Sequence, residues 1–165
     1  GLEAEIDRLS RELGEALHAR GWFAATAESC TGGGVAYAIT DISGSSAWFD
    51  RSFITYTNAA KMQMLGVAES TLLLHGAVSR EVVSAMALGA LTHSVAQISV
   101  AISGIAGPQG GTVDKPVGTV WFAWARSADP SATLVTECFH LIGDRRQVRE
   151  QAIEIALQGM CKLIQ

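Results

Sequence analysis

Leu2, Ile6, Leu9, Leu13 and Leu17 recur at helical spacing with charged residues between them, and Gly21 follows as a stop, which predicts an amphipathic first helix. Trp22 to Ala27 then reads as a short apolar strand, and Val35 to Ile39 as a helix behind a glycine run, ending near Asp41. After the loop Ser43-Gly44-Ser45-Ser46, the aromatic and β-branched stretch Ala47 to Tyr56 predicts a second strand. Asn58 is expected to cap a helix running through Lys61 to Leu65, closed by Gly66, and Ser70 to Leu74 suggests a helical turn before Gly76. Ser79 opens a helix that should continue to about His93, with Val82 where a capping box would place an acid.

Ile98 to Ser103 is a continuous apolar run of the kind buried on both faces of a sheet, and it enters a second glycine-rich loop, Gly104 to Gly111. Val117 to Ala125 and Ala132 to Leu141 look like an antiparallel hairpin joined by Ser127-Ala128-Asp129-Pro130. Asp144 should cap a final helix whose apolar stripe is Val148, Ala152, Ile155, Ala156, Met160 and Leu163. Helices at the start, middle and end with strands between them predict an α/β fold. The expected architecture is a three-layer α/β/α sandwich on a mixed, mostly parallel sheet with a C-terminal hairpin. No repeat or linker interrupts residues 1–165, so a single domain is expected.

Composition narrows the function classes. The 165 residues carry a net charge of −4, which disfavours a general nucleic-acid surface, because phosphate backbones demand a dense cationic face. No apolar run approaches the ~20 residues of a membrane span, and no basic segment precedes a hydrophobic one, so neither a span nor a signal peptide is expected. Three cysteines, Cys30, Cys138 and Cys161, form no CxxC pair and point to a reducing, cytoplasmic compartment rather than to disulfides or zinc. The chain begins with Gly1 rather than Met, as expected of an excised or tag-cleaved fragment of something longer.

The candidate chemistry begins at Ala27-Glu28-Ser29-Cys30-Thr31-Gly32-Gly33-Gly34. A buried strand that runs into a glycine-rich helix start delivers a hydroxyl to the carboxyl edge of a sheet among free backbone N–H groups. Ser29 can be a nucleophile there, or a helix cap. A nucleophilic hydroxyl needs a base. The four histidines, His18, His75, His93 and His140, lie on an amphipathic helix, in a polar loop, at a helix end and in a strand, and none is well placed. Among the three lysines, Lys162 suits the last turn of its helix, whereas Lys61 stands in the first turn of its own. The helix dipole opposes an ammonium there, and with burial it lowers a pKa toward the range a general base needs. Tyr56 could relay a proton or hold the Lys61 ammonium; an exposed lysine beside a half-buried tyrosine is the alternative.

The second glycine loop, Ser103 to Thr112 followed by Lys115-Pro116-Val117-Gly118-Thr119-Val120, matches neither a Walker A loop nor a dinucleotide fingerprint. Its glycines allow a close approach to a ligand or a long surface turn. Arg145, Arg146 and Arg149 follow Gly143-Asp144 at a helix start, where they either receive a phosphate or pair with Glu150 and Glu154.

Taken together, the Ser29 run, the Tyr56-to-Lys61 segment, the Gly104-to-Val120 loop and Gly143 to Arg149 resemble the CinA carboxy-terminal domain family over nearly the whole chain. The resemblance implies a three-layer α/β/α sandwich. It also implies a nicotinamide-nucleotide amidase activity, converting nicotinamide mononucleotide to nicotinate mononucleotide and ammonia in pyridine-nucleotide recycling. By position, the family's serine nucleophile falls on Ser29 and its lysine base on Lys61, with Tyr56 assisting. Backbone at Cys30, Thr31, Gly32 and Gly33 would hold the oxyanion, Gly104, Ala106 and Gly107 the nucleotide, and Arg145 and Arg149 its phosphate, with a homodimer expected. Neither a cofactor nor a metal is implied, and the partner is a small-molecule nucleotide. Gln109 and Val113-Asp114 depart from the family's usual residues, away from the serine and lysine. A catalytically silent nucleotide-binding or competence/damage-inducible module of the same family is the alternative.

Overall fold

The structure is a computed structural model describing residues 1–127 and 132–165. The elements are α1 (Leu2–Arg20), β1 (Ala24–Glu28), α2 (Gly34–Thr40), a 3-10 turn at Ser45–Ala47, β2 (Phe49–Ile54), α3 (Asn58–Leu65) and α4 (Glu69–His75). They continue with α5 (Arg80–Thr92), β3 (Ile98–Gly104), β4 (Thr119–Arg126), β5 (Thr133–His140) and α6 (Arg145–Ile164). No helix among the described residues is long and apolar enough to cross a membrane.

One sheet of order β2-β1-β3-β4-β5 forms the middle layer. β1 pairs in parallel with β2 and β3, while β4 runs antiparallel to both β3 and β5, so β4 alone points against the others. The period-2 alternation of strands divides the sheet's two faces by size. On one face Ile98, Val100, Ile102, Val120, Phe122 and Trp124 meet Leu9, Leu13 and Leu17 of α1, Val35 and Ile39 of α2, and Val148, Leu157 and Met160 of α6. On the other, the small Ala27, Ala101, Ala123 and Ala125 let α5 approach closely through Val82, Val83, Met86, Ala87 and Ala90. This is the expected three-layer sandwich.

The boundaries shift for local reasons. β1 begins at Ala24 rather than Trp22, and β2 is trimmed to Phe49–Ile54 because Ser45–Ala47 turns instead of extending. Thr57, not Asn58, caps α3: its backbone is extended and its hydroxyl accepts the Ala60 N–H at 3.1 Å, which makes Asn58 the first helical residue. Asp144 caps α6 as expected, and Gln147 completes the box by accepting the Asp144 N–H at 2.9 Å. Of the predicted hairpin turn, Ala128, Asp129 and Pro130 lie outside the described residues.

Parallel pairing of β2, β1 and β3 brings their carboxyl ends to one edge of the sheet. Ser29 follows β1, Tyr56 follows β2, and the loop from Ile105 follows β3, so three sequence-distant turns converge where open α/β sheets bind ligands. The N-terminus of α6 comes to the same edge, since Arg145 reaches Gly107 and Arg149 reaches Cys30.

Gly159 shows how tightly α6 is seated. A Cβ there would fall 2.0 Å from Trp124 Cε2. That ring cannot step aside: it stacks on Phe122 at 5.5 Å, and its N–H donates to the Ala156 carbonyl at 2.9 Å. Gly159→Ala should therefore destabilise the protein by about 1–3 kcal/mol in urea unfolding, despite the roughly 1 kcal/mol by which alanine is the better helix former.

Candidate active site

The Glu28 carboxylate, fully buried at the end of β1, organises the turn that carries Ser29. Its Oε1 accepts the Thr31 hydroxyl at 2.7 Å and the N–H groups of Val35 and Gly33 at 3.0 and 3.1 Å. Its Oε2 accepts the Ala36 N–H at 3.0 Å, and the hydroxyls of Thr26 and Ser52, themselves 2.6 Å apart, share the remaining approach. A buried charge is tolerable only with such a set of donors, and the positive end of α2 favours an anion at this place. The chain can double back because Gly32 and Gly33 have φ of 57° and 97°, a left-handed backbone that suits glycine. α2 is thus capped by a residue several positions upstream, and Ser29 is left uncapping and free for other work. The sequence singled out no role for Glu28; an acid between an apolar strand and a glycine-rich helix start is the signal that could have found it.

Ser29 is 8% exposed, and its Oγ lies 3.0 Å from Nζ of Lys61, which is 1% exposed. Lys61 is in the second turn of α3, and because helical side chains lean toward the N-terminus, its amine returns over the helix start. There Nζ meets the main-chain carbonyls of Thr55 at 2.8 Å and Tyr56 at 3.2 Å. No carboxylate forms an ion pair with Lys61 among the described residues, and burial pushes its pKa below the ordinary 10.5. The same three partners suit a neutral amine, which can donate two N–H groups to the carbonyls and turn its lone pair to the serine hydroxyl.

Cys30, next to the serine, is a poor nucleophile. Burial pushes its thiol up to about 12, against an opposing pull from the Arg149 charge, so it packs as a small apolar side chain. Among the described residues no histidine hydrogen-bonds to Ser29: His75 faces Glu81 at 3.5 Å, and His140 faces the Thr119 hydroxyl at 3.4 Å.

Tyr56 differs from expectation. Its carbonyl, not its phenol, holds the Lys61 amine, while the phenol oxygen stands 3.0 Å from an Arg145 nitrogen at the exposed rim. Arg145 also donates to the Gly107 carbonyl at 2.8 Å, tying the second glycine loop to Tyr56. Arg149 donates to the Cys30 carbonyl at 3.0 Å and the Thr31 carbonyl at 3.4 Å. Neither arginine pairs with an acid among the described residues, so the surface ion pairs with Glu150 and Glu154 do not form.

The backbone donors expected between Cys30 and Gly33 divide in two. Gly32 N–H donates to the Ser29 carbonyl at 3.0 Å and Gly33 N–H to Glu28, which removes both as oxyanion donors. The N–H groups of Cys30 and Thr31 have no hydrogen-bond acceptor among the described residues. No group of three His, Cys, Asp or Glu side chains able to hold a metal ion occurs among the described residues.

Comparison with known proteins adds the following. The sequence profile of the CinA C-terminal domain matches residues 6–164. A protein of Escherichia coli (strain K12) named nicotinamide-nucleotide amidohydrolase PncC is 58% identical, over 96% of this chain and 94% of its own. One of the same name from Pseudomonas putida is 48% identical over 96% of both chains. The crystal structure of the competence/damage inducible protein CihA from Agrobacterium tumefaciens superposes with a TM-score of 0.92 at 42% identity, covering 98% of this chain and 96% of that one.

The Glu28 cluster carries a stability prediction. Glu28→Gln turns one acceptor oxygen into an NH₂ group facing N–H and O–H donors. Urea unfolding should show a loss of at least about 2 kcal/mol, the cost of stranding buried donors. An unchanged midpoint would remove Glu28 as the organiser of the turn.

Proposed function

The chain belongs to the CinA C-terminal domain family, and on that premise we propose that it hydrolyses nicotinamide mononucleotide to nicotinate mononucleotide and ammonia through a Ser29–Lys61 dyad. The observation that carries the dyad is the 3.0 Å contact between Ser29 Oγ and a buried amine that has no carboxylate partner among the described residues. The substrate is proposed by likeness to the relatives named for that activity.

In this reading neutral Lys61 takes the Ser29 proton as Oγ bonds to the carboxamide carbon. The carbonyl oxygen becomes an anion, met by the free N–H groups of Cys30 and Thr31; one such donor is worth about 3–4 kcal/mol where it has been measured. Collapse of the tetrahedral species breaks the C–N bond, and the Lys61 ammonium returns its proton to the leaving nitrogen, which departs as ammonia. Water, deprotonated by the same amine, attacks the acyl-serine ester, and Ser29 leaves with the proton while the carboxylate product forms. Thr55 and Tyr56 hold the amine at both steps through their carbonyls, so Tyr56 assists as main chain.

The phosphate is assigned to Arg145. Its guanidinium is exposed at the rim beside Tyr56 and the Gly107 turn, and a planar guanidinium suits a phosphate there. The cysteines, all unpaired, fit a reducing compartment.

Ammonia release from nicotinamide mononucleotide is the decisive assay. Ser29→Ala and Lys61→Met should each lower kcat by at least about 10³-fold; undiminished turnover in either removes the dyad. The pH profile has a definite sign: the base must be uncharged, so activity rises with pH, and because burial lowers the Lys61 pKa the rise comes below the 10.5 of an ordinary lysine. Arg145→Ala should raise KM for the nucleotide by about 10–100-fold, the range of a charge-assisted contact, while leaving KM for the phosphate-free nucleoside within about twofold.

A further inference from the structure

Arg149 shares its helix face with Arg145 and follows it by one turn, yet the two guanidiniums are engaged differently. Arg145 is exposed at the rim. Arg149 is half-buried beneath the nucleophile turn, its Nε on the Cys30 carbonyl at 3.0 Å and Nη2 on the Thr31 carbonyl at 3.4 Å. A Cβ added to Gly32 would lie 3.3 Å from the same Nη2, so the guanidinium rests directly against this turn.

Peptide geometry gives that contact a consequence. In a trans peptide the C=O and N–H point in opposite directions, and the bond between Cys30 and Thr31 is trans, since the one cis bond among the described residues is Gly107–Pro108. With the Cys30 carbonyl drawn to Arg149, the Thr31 N–H is aimed to the opposite side. The preceding peptide is held likewise: the Ser29 carbonyl accepts the Gly32 N–H at 3.0 Å, which aims the Cys30 N–H away from it. The two backbone donors left uncommitted by the turn are therefore those whose planes are locked from behind, one by Gly32 and the other by Arg149. An unlocked peptide can rotate its carbonyl into the same space and oppose an oxyanion instead of stabilising it.

We infer that Arg149 is a positioning residue for the oxyanion site rather than a phosphate ligand: through the Cys30 carbonyl it fixes the Thr31 N–H toward the reacting carbonyl. The inference rests on Ser29 being the nucleophile. It places the two arginines in separate roles, Arg145 reading the substrate's phosphate and Arg149 setting the donor geometry.

The test compares Arg149→Met, Arg149→Lys and Arg145→Met by two readouts, with thermal unfolding confirming that each is folded. In the first, deamidation of nicotinamide mononucleotide and of its nucleoside is measured. Arg149→Met should lower kcat by about 10–100-fold on both and leave the nucleotide-to-nucleoside ratio of kcat/KM intact. Arg145→Met should instead collapse that ratio. Arg149→Lys should recover little, because an ammonium cannot span two carbonyls as a planar guanidinium does; added guanidinium at millimolar concentration should recover part of the kcat of Arg149→Met. In the second, the rate of Ser29 labelling by an alkyl fluorophosphonate is followed, a reaction in which Oγ displaces fluoride and an anionic oxygen develops without any nucleotide. Arg149→Met should slow it by the same factor and Arg145→Met should not. If wild type is labelled but does not deamidate the nucleotide, the substrate assignment fails while the labelling rates still judge Arg149. A collapse of the nucleotide-to-nucleoside ratio in Arg149→Met, or an unchanged labelling rate, overturns the inference. Wild type that is neither labelled nor active overturns both.

Discussion

A single buried carboxylate holds the functional edge together. Glu28 ends β1 and gathers donors from the Ser29 turn, from the first turn of α2 and, through Ser52, from β2. An isolated carboxylate in this interior would be prohibitively costly, so the segments that supply its donors are bound to stay. The reverse also holds: the N–H groups at the start of α2 have no partners within the helix, and Glu28 satisfies three of them or their neighbours at once. Ser29 inherits its position from this arrangement, being the next residue in the chain, and its own N–H is pinned to the Ile102 carbonyl at 3.0 Å.

The site opposes two buried polar devices of different character. Glu28 is saturated with donors and has a stabilising role. Lys61 is equally hidden but, among the described residues, meets only neutral groups, two carbonyls and a hydroxyl. Burial without a counter-charge is what depresses a lysine pKa, and the same absence leaves the lone pair accessible to the serine proton. An acid beside Lys61 would have stabilised the ammonium and spoiled the base. The fold achieves the separation by putting Glu28 on the α2 side of its strand and Lys61 beyond the end of β2, with Ser29 between.

α6 contributes from the layer it shares with α1 and α2. Arginines in the first turns of a helix are unfavourable for its dipole, and here they reach out of the helix to main-chain carbonyls of two loops and to a phenol. The α6 start is therefore a brace across the sheet edge, held in place by the Asp144 cap and by the Trp124–Gly159 contact toward its far end.

Much of this was legible in the sequence because it depends on neighbours along the chain. The apolar periods marked each helix and strand, the glycines after Ser29 marked a turn at a strand end, Asp144 announced α6, and the placement of Lys61 near a helix start separated it from the other lysines. What the sequence alone left open were the partners of polar side chains. Tyr56 could have turned its phenol to Lys61, and Arg149 could have faced solvent or Glu150. Those choices are made by residues far apart in the chain: Tyr56 meets Arg145 across 89 positions, and Arg149 meets Cys30 across 119. Hydrophobic period specifies which face of an element is buried, not which element lies opposite it. The order β2-β1-β3-β4-β5 decides that, by bringing the ends of β1, β2 and β3 and the start of α6 to one edge. The nucleophile and its base were thus candidates from sequence, whereas their 3.0 Å approach and the bracing of the donors around them exist only once the sheet has closed the distance.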